Sequence, residues 1–162
     1  MDPLLSFHRD HEAIRPRLRT FEAALDAAQN RAHADEAERR LFLETVAFLQ
    51  SAALDHFRRE EVALLPLLEA KVGRYGSLVN VIAYDHDEVR RELGKLGDAV
   101  KALEASGGGP PALYEVNRHG IFLIQYLSLH MAKEDAYFSE TAREVLGPAG
   151  LADVSRLLEG LP

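Results

Sequence analysis

Apolar residues recur in steps of three and four along this chain, and no stretch shows the alternation of a strand. Four long stripes can be written out. The first carries Leu4, Phe7, His11, Ile14, Leu18, Phe21 and Leu25. The second carries Phe42, Val46, Leu49, Ala53, His56, Glu60, Ala63 and Leu67. The third carries Val79, Ile82, His86, Val89, Leu93, Leu96, Val100 and Leu103, and the fourth Leu113, Val116, Gly120, Leu123, Leu127, His130, Glu134 and Tyr137. Each is the apolar face of an amphipathic helix. The pattern predicts helices over about 3–29, 35–71, 77–105 and 112–146, then a short amphipathic segment over 151–158.

The punctuation agrees. Pro3 suits a helix start, Asp35 and Ser77 suit N-caps, and Gly73, Gly76 and the Ser106–Pro111 run suit stops. Short connections favour antiparallel neighbours, so the expected fold is all-α: an up-down-up-down four-helix bundle with a short C-terminal helix. The length, 162 residues, suits one domain over 1–162. Within it the helix pairs 3–71 and 77–146 read as a repeat. His11 precedes His86 by the same interval, to within one position, that separates His56 from His130 and Glu60 from Glu134. Asp10-His11-Glu12-Ala13-Ile14-Arg15 aligns with Asp85-His86-Asp87-Glu88-Val89-Arg90.

Six stripe positions hold residues that a core normally rejects: His11, His56, Glu60, His86, His130 and Glu134. An unpaired carboxylate there costs several kcal/mol. At about 1.5 Å of rise per residue, antiparallel packing brings all four imidazoles within one turn of height. The six then share a layer. In His56-x-x-x-Glu60 and His130-x-x-x-Glu134 both side chains lie on one face, so the histidine can serve one cation while the glutamate reaches a second. Such a mixed imidazole–carboxylate set suits iron, with zinc or manganese as substitutes, and disfavours calcium and magnesium.

Composition narrows the choice. Cysteine is absent, which removes disulfides, thiolate catalysis and cysteine-held metals. The formal net charge of −7 argues against nucleic acid and anionic membranes as partners. No apolar run is long enough to cross a bilayer, and no secretory leader is visible, so a cytoplasmic protein is expected. Monomer and homodimer both fit. No histidine follows a glutamate by three residues, which excludes the ferritin-type carboxylate pattern, and His11-Glu12 is not followed by the second histidine of a zinc protease.

At His11, His56-x-x-x-Glu60, His86 and His130-x-x-x-Glu134 the chain resembles the hemerythrin-like (HHE cation-binding) family, in its four-histidine, two-glutamate subgroup. The resemblance runs over essentially the whole chain. It implies a non-haem pair of iron ions with an oxo or hydroxo bridge, able to bind or reduce O₂, NO or peroxide in stress response or sensing. A role in repairing or supplying iron centres, or as a non-redox zinc-binding interaction module, is the alternative. The fifth histidine of the oxygen carriers has no counterpart: Ile82 and Arg90 occupy the places one turn from His86. Other members of the subgroup are sensory, regulatory or peroxide-decomposing, so the resemblance leaves open whether this chain is a di-iron oxidoreductase, and the sequence names no catalytic residue.

Several neighbours are secondary candidates. Tyr126 and Tyr137 lie one turn from the fourth-helix ligands, within reach of a bound small molecule. Asp55, Glu61, Asp85, Asp87 and Asp135 adjoin ligands and are candidate partners for imidazole N–H groups. Pro16 and Pro66 are candidate helix bends. His8 and Glu12 make a third His-x-x-x-Glu pair, which falls beside the stripe and reads as solvated surface. His119 and His33 are expected outside the centre.

Overall fold

The computed structural model describes residues 2–161. Helix α1 (Leu4–Arg31) begins one residue after Pro3 and runs through Pro16 without a break. Helix α2 (Glu36–Arg59) starts at Asp35, whose side chain accepts from the Glu38 N–H while Glu38 caps the Asp35 N–H in return. It passes directly into a π-turn (Glu60–Leu64) and then α3 (Leu65–Val72). Pro66 lies in the first turn of α3, directly after the π-turn, where it can donate no hydrogen bond to the preceding turn. Helix α4 (Leu78–Ser106) is unbroken. Helix α5 (Ala112–Lys133) passes through a second π-turn (Glu134–Phe138) into α6 (Ser139–Glu159). Gly147, at φ 61° and ψ −175°, interrupts α6 in a conformation that favours glycine. No strand occurs among the described residues, and no helix there is long and apolar enough to cross a membrane.

The long helices pack in a ring: α1 against α2 and α5, and α4 against α2 and α5. Gly120 marks a close approach, since a Cβ there would lie 2.8 Å from Leu25 Cδ1. The loops at one end are pinned together by the Ala34 N–H, which donates to the Gly108 carbonyl at 2.8 Å.

Burial follows the apolar stripes until the two π-turns. Leu67 is only partly buried and Tyr137 is 66 % exposed, while Leu64, Leu65, Leu68 and Phe138 take the core positions. The stripe reading is therefore corrected at Leu67 and Tyr137. Each π-turn adds one residue to the local helical repeat and rotates everything after it. In the second case the buried residues become Glu134, Phe138, Ala142 and Leu146, three successive steps of four.

The apolar core forms two clusters. One contains Phe21, Leu25, Phe42, Leu49, Leu93, Leu103, Val116 and Leu123 with their neighbours. The other gathers Leu4, Phe7, Leu64, Leu68, Val79, Ile82, Phe138 and Val154, with Leu151 and Leu158 packed against it from the far part of α6. Between them lies a layer of polar side chains.

Candidate metal centre

That layer contains all six residues singled out from the sequence. His11, His56, Glu60, His86, His130 and Glu134 are each no more than 2 % exposed. They come from α1, α2, the first π-turn, α4, α5 and the second π-turn in turn. Glu134 is central. Its Oε2 lies 2.9 Å from His11 Nε2 and 3.5 Å from His56 Nε2. Its Oε1 lies 3.0 Å from His130 Nε2 and 3.9 Å from His86 Nε2. One carboxylate thus turns one oxygen to each of two histidine pairs. Glu60 Oε2 also spans the pairs, 3.5 Å from His56 Nε2 and 3.2 Å from His86 Nε2.

Each imidazole is held from behind by a carboxylate. His11 Nδ1 lies 2.9 Å from Asp135 Oδ1, and His56 Nδ1 3.0 Å from Asp10 Oδ2. His86 Nδ1 lies 2.9 Å from Glu61 Oε1, and His130 Nδ1 3.3 Å from Asp85 Oδ2. A carboxylate only accepts, so the proton of a neutral ring sits on Nδ1 and the Nε2 lone pair faces inward. His11 Nε2 and His56 Nε2 approach to 3.2 Å, a spacing that suits two nitrogens each about 2.1 Å from one cation.

Glu60 Oε2, His86 Nε2, His130 Nε2 and both Glu134 oxygens are buried without an aligned hydrogen-bond partner. Leaving such groups unsatisfied costs several kcal/mol, and one or two cations in their midst would satisfy all of them. The donor set fits a transition metal. Four of the six residues, His56, Glu60, His130 and Glu134, place ligand atoms within 4.8 Å of one another.

Electrostatics point the same way. Burial lowers the basicity of His56, but the charge on Glu60 and the contacts with Asp10 and Glu134 outweigh it and push the ring up to about 10. Burial is likewise outweighed at His86, where Glu134, Glu60 and Glu61 raise it to about 10. Glu134, although buried, is held well below the usual carboxylate range by His130, His11 and His56. The cluster is built to hold positive charge.

The outer carboxylates are themselves anchored by cations. Arg59 donates to Asp10, Lys133 to Asp85, Arg15 to Asp135, and Arg90 to Glu61 at 2.7 Å. The repeat that relates the inner residues also relates Asp10 to Asp85, Glu61 to Asp135, Arg59 to Lys133 and Arg15 to Arg90.

Of the carboxylates considered from the sequence, Glu61, Asp85 and Asp135 reach the imidazoles. Asp55 pairs with Arg58 and Arg59, and Asp87 with Arg90, both away from the rings. Asp10 also adjoins a histidine of the layer and was missed, although its alignment with Asp85 carried the signal. Tyr126 donates from its hydroxyl to Asp85 Oδ1 at 2.8 Å, whereas Tyr137 is solvated. His119 pairs with Glu92, and His33 is exposed.

Comparison with known families decides what this arrangement belongs to. The model for the hemerythrin HHE cation binding domain matches residues 2–142. The chain belongs to that family. Searches of curated proteins and of solved structures give no match. The hemerythrin match spans α1 through the second π-turn and ends early in α6, so it covers every residue of the polar layer.

Proposed function

We propose that this chain is a non-haem di-iron protein that binds or reduces O₂, NO or peroxide. The observation that carries the reading is the division of the Glu134 oxygens between the pairs His11/His56 and His86/His130. In this reading His11, His56, His86 and His130 would hold the metal pair together with Glu60 and Glu134, the two carboxylates that face both histidine pairs. The chain is a single bundle of two related helix pairs with helices running alternately up and down. It is cytoplasmic, and works as a monomer or homodimer.

A bound iron pair supplies electrons and open coordination for a small ligand, the chemistry that a two-metal site offers. The protein's own part is orientation and exclusion. Asp10, Glu61, Asp85 and Asp135 fix the tautomer and tilt of the four rings, which strengthens each nitrogen as a donor. Phe57 stacks on the His86 ring at 4.0 Å and packs edge-on to His130 and His56, so an apolar wall keeps water off that side. Tyr126 shares Asp85 with His130 and tempers the carboxylate on that side alone.

The test is metal analysis followed by rapid mixing of the reduced protein with O₂, NO and peroxide. About two irons per chain are expected, with reversible binding or turnover of one of these ligands. Zinc alone after growth in iron-rich medium would make the chain a non-redox binding module. Release of iron on mixing would make it an iron donor or repair protein.

A further inference from the structure

His8 lies beside the polar layer with no place in the centre just described, yet it repeats the construction of the residues inside it. Its Nδ1 lies 2.9 Å from Asp135 Oδ1, the same oxygen that His11 Nδ1 contacts at 2.9 Å. Arg15 holds the other oxygen of Asp135, which fixes the carboxylate without covering the free side of the ring. His8 Nε2 therefore carries the lone pair, and it faces Glu12 Oε1 one turn on, at 3.8 Å. Two donors about 2.1 Å from one cation lie at most about 4.2 Å apart, so the pair is within the span of a single metal ion. Both side chains meet solvent, His8 at 47 % and Glu12 at 63 % exposed. A cavity of about 210 Å³ lined by Leu4, His8, Asp135 and Arg143 opens beside His8.

The matching positions in the second half of the repeat are Ala83 and Asp87, so the second helix pair lacks the imidazole. One half of the molecule thus has an outward-facing His-x-x-x-Glu pair joined to a buried ligand through one shared carboxylate.

We propose that His8 and Glu12, with His8 oriented by Asp135, form a surface docking site for a divalent transition-metal ion, from which the buried centre is loaded. The loading role rests on the reading that the buried centre holds metal; the surface site itself does not. An exposed nitrogen–oxygen pair concentrates cations at the one face where Asp135 leads inward to His11. An acidic chain favours their approach. Exposure keeps the hold weak enough for release, because surface ligands are well hydrated.

The test uses the full chain stripped of metal. Zinc counted by equilibrium dialysis should show one more ion bound to the wild type than to His8→Ala, and Glu12→Gln should weaken that extra ion roughly tenfold. Anaerobic uptake of Fe(II) from a coloured chelator should slow by roughly tenfold in His8→Ala, while the iron that stays bound after desalting is the same. His33→Ala, an exposed histidine elsewhere, should match the wild type in both. An extra zinc ion that persists in His8→Ala overturns the site, and its loss with unchanged Fe(II) uptake overturns the loading role. A wild type that binds zinc only at the surface pair would instead overturn the reading of the buried centre.

Discussion

Helices α1 and α4 differ from the two continuous runs α2–π-turn–α3 and α5–π-turn–α6 in what they deliver and in how they are wound. Each of the first two is unbroken, 28 and 29 residues long, and gives one imidazole to the layer. Each of the second gives an imidazole and, one turn later, a glutamate at the first residue of a π-turn. A single inward polar residue fits the ordinary helical period without penalty. Two on one helix, followed by a return to the apolar core, are accommodated here with an extra residue after the glutamate. The two kinds of helix also brace each other. Asp10 of α1 and Asp85 of α4 support histidines on α2 and α5, and Glu61 and Asp135 of the π-turns support those on α4 and α1.

The largest effect is expected from removing a glutamate. Glu134→Ala takes away the one side chain that faces all four imidazoles, and metal content should fall from about two ions per chain to near none. Glu60→Ala should lose metal as well, and His33→Ala should keep it. Equal retention by all three would remove the two π-turn glutamates from the centre and leave the two kinds of helix alike. Next comes deletion of Val62, an exposed residue of the first π-turn. The shortened helix regains an even period from Phe42 to Leu68, so helicity by circular dichroism should survive. The widened turn that presents Glu60 and Glu61 to His86 closes, and metal affinity should fall roughly tenfold or more. Unchanged affinity would make the π-turn irrelevant to the centre.

A smaller effect is expected from the bracing. Asp10→Asn and Asp85→Asn should each weaken metal binding by about tenfold, read by competition with a chelator. Tyr126→Phe should act only on the His130 side, with a smaller change, because the first helix pair has Ala52 at the matching position. Equal spectroscopic shifts at both metals would contradict that sidedness. The smallest effect concerns the distant pair Glu92 and His119, which joins α4 to α5. Burial raises the Glu92 carboxyl, but His119 and Lys95 outweigh it and hold it below its ordinary value of 4.5. A depressed carboxyl stabilises the fold above that value and loses its contribution as the pH falls through the folded-state pKa. Glu92→Gln should therefore flatten the acid limb of a plot of Tm against pH, with metal content unchanged.

Much of this was legible in the sequence. A histidine or glutamate on an otherwise apolar stripe stands out, and the near-constant interval of the repeat ties distant positions together. All six inner residues were visible for that reason. The π-turns were not, because a glutamate followed by apolar residues three and four places on fits both periods. Leu67 and Leu68, like Tyr137 and Phe138, are equally plausible core residues until the winding is known. Asp10 was as readable as Asp85: each adjoins one histidine of the layer and holds another 46 or 45 residues away, and the two align in the repeat. The outer cations were hidden among ordinary surface charges, where only the repeat distinguishes Arg59 and Lys133 from the rest.

The interrupted winding bears on anyone who would copy this site elsewhere. An idealised straight bundle, built with uniform turns and regular layers, has a place for four histidines and two glutamates. Grafting those six alone would leave every core residue after each glutamate turned toward solvent by about a quarter of a revolution, since one residue of an α-helix sweeps about 100°. The portable unit is larger than the six inner side chains: it includes four carboxylates behind them and two added residues that reset the phase.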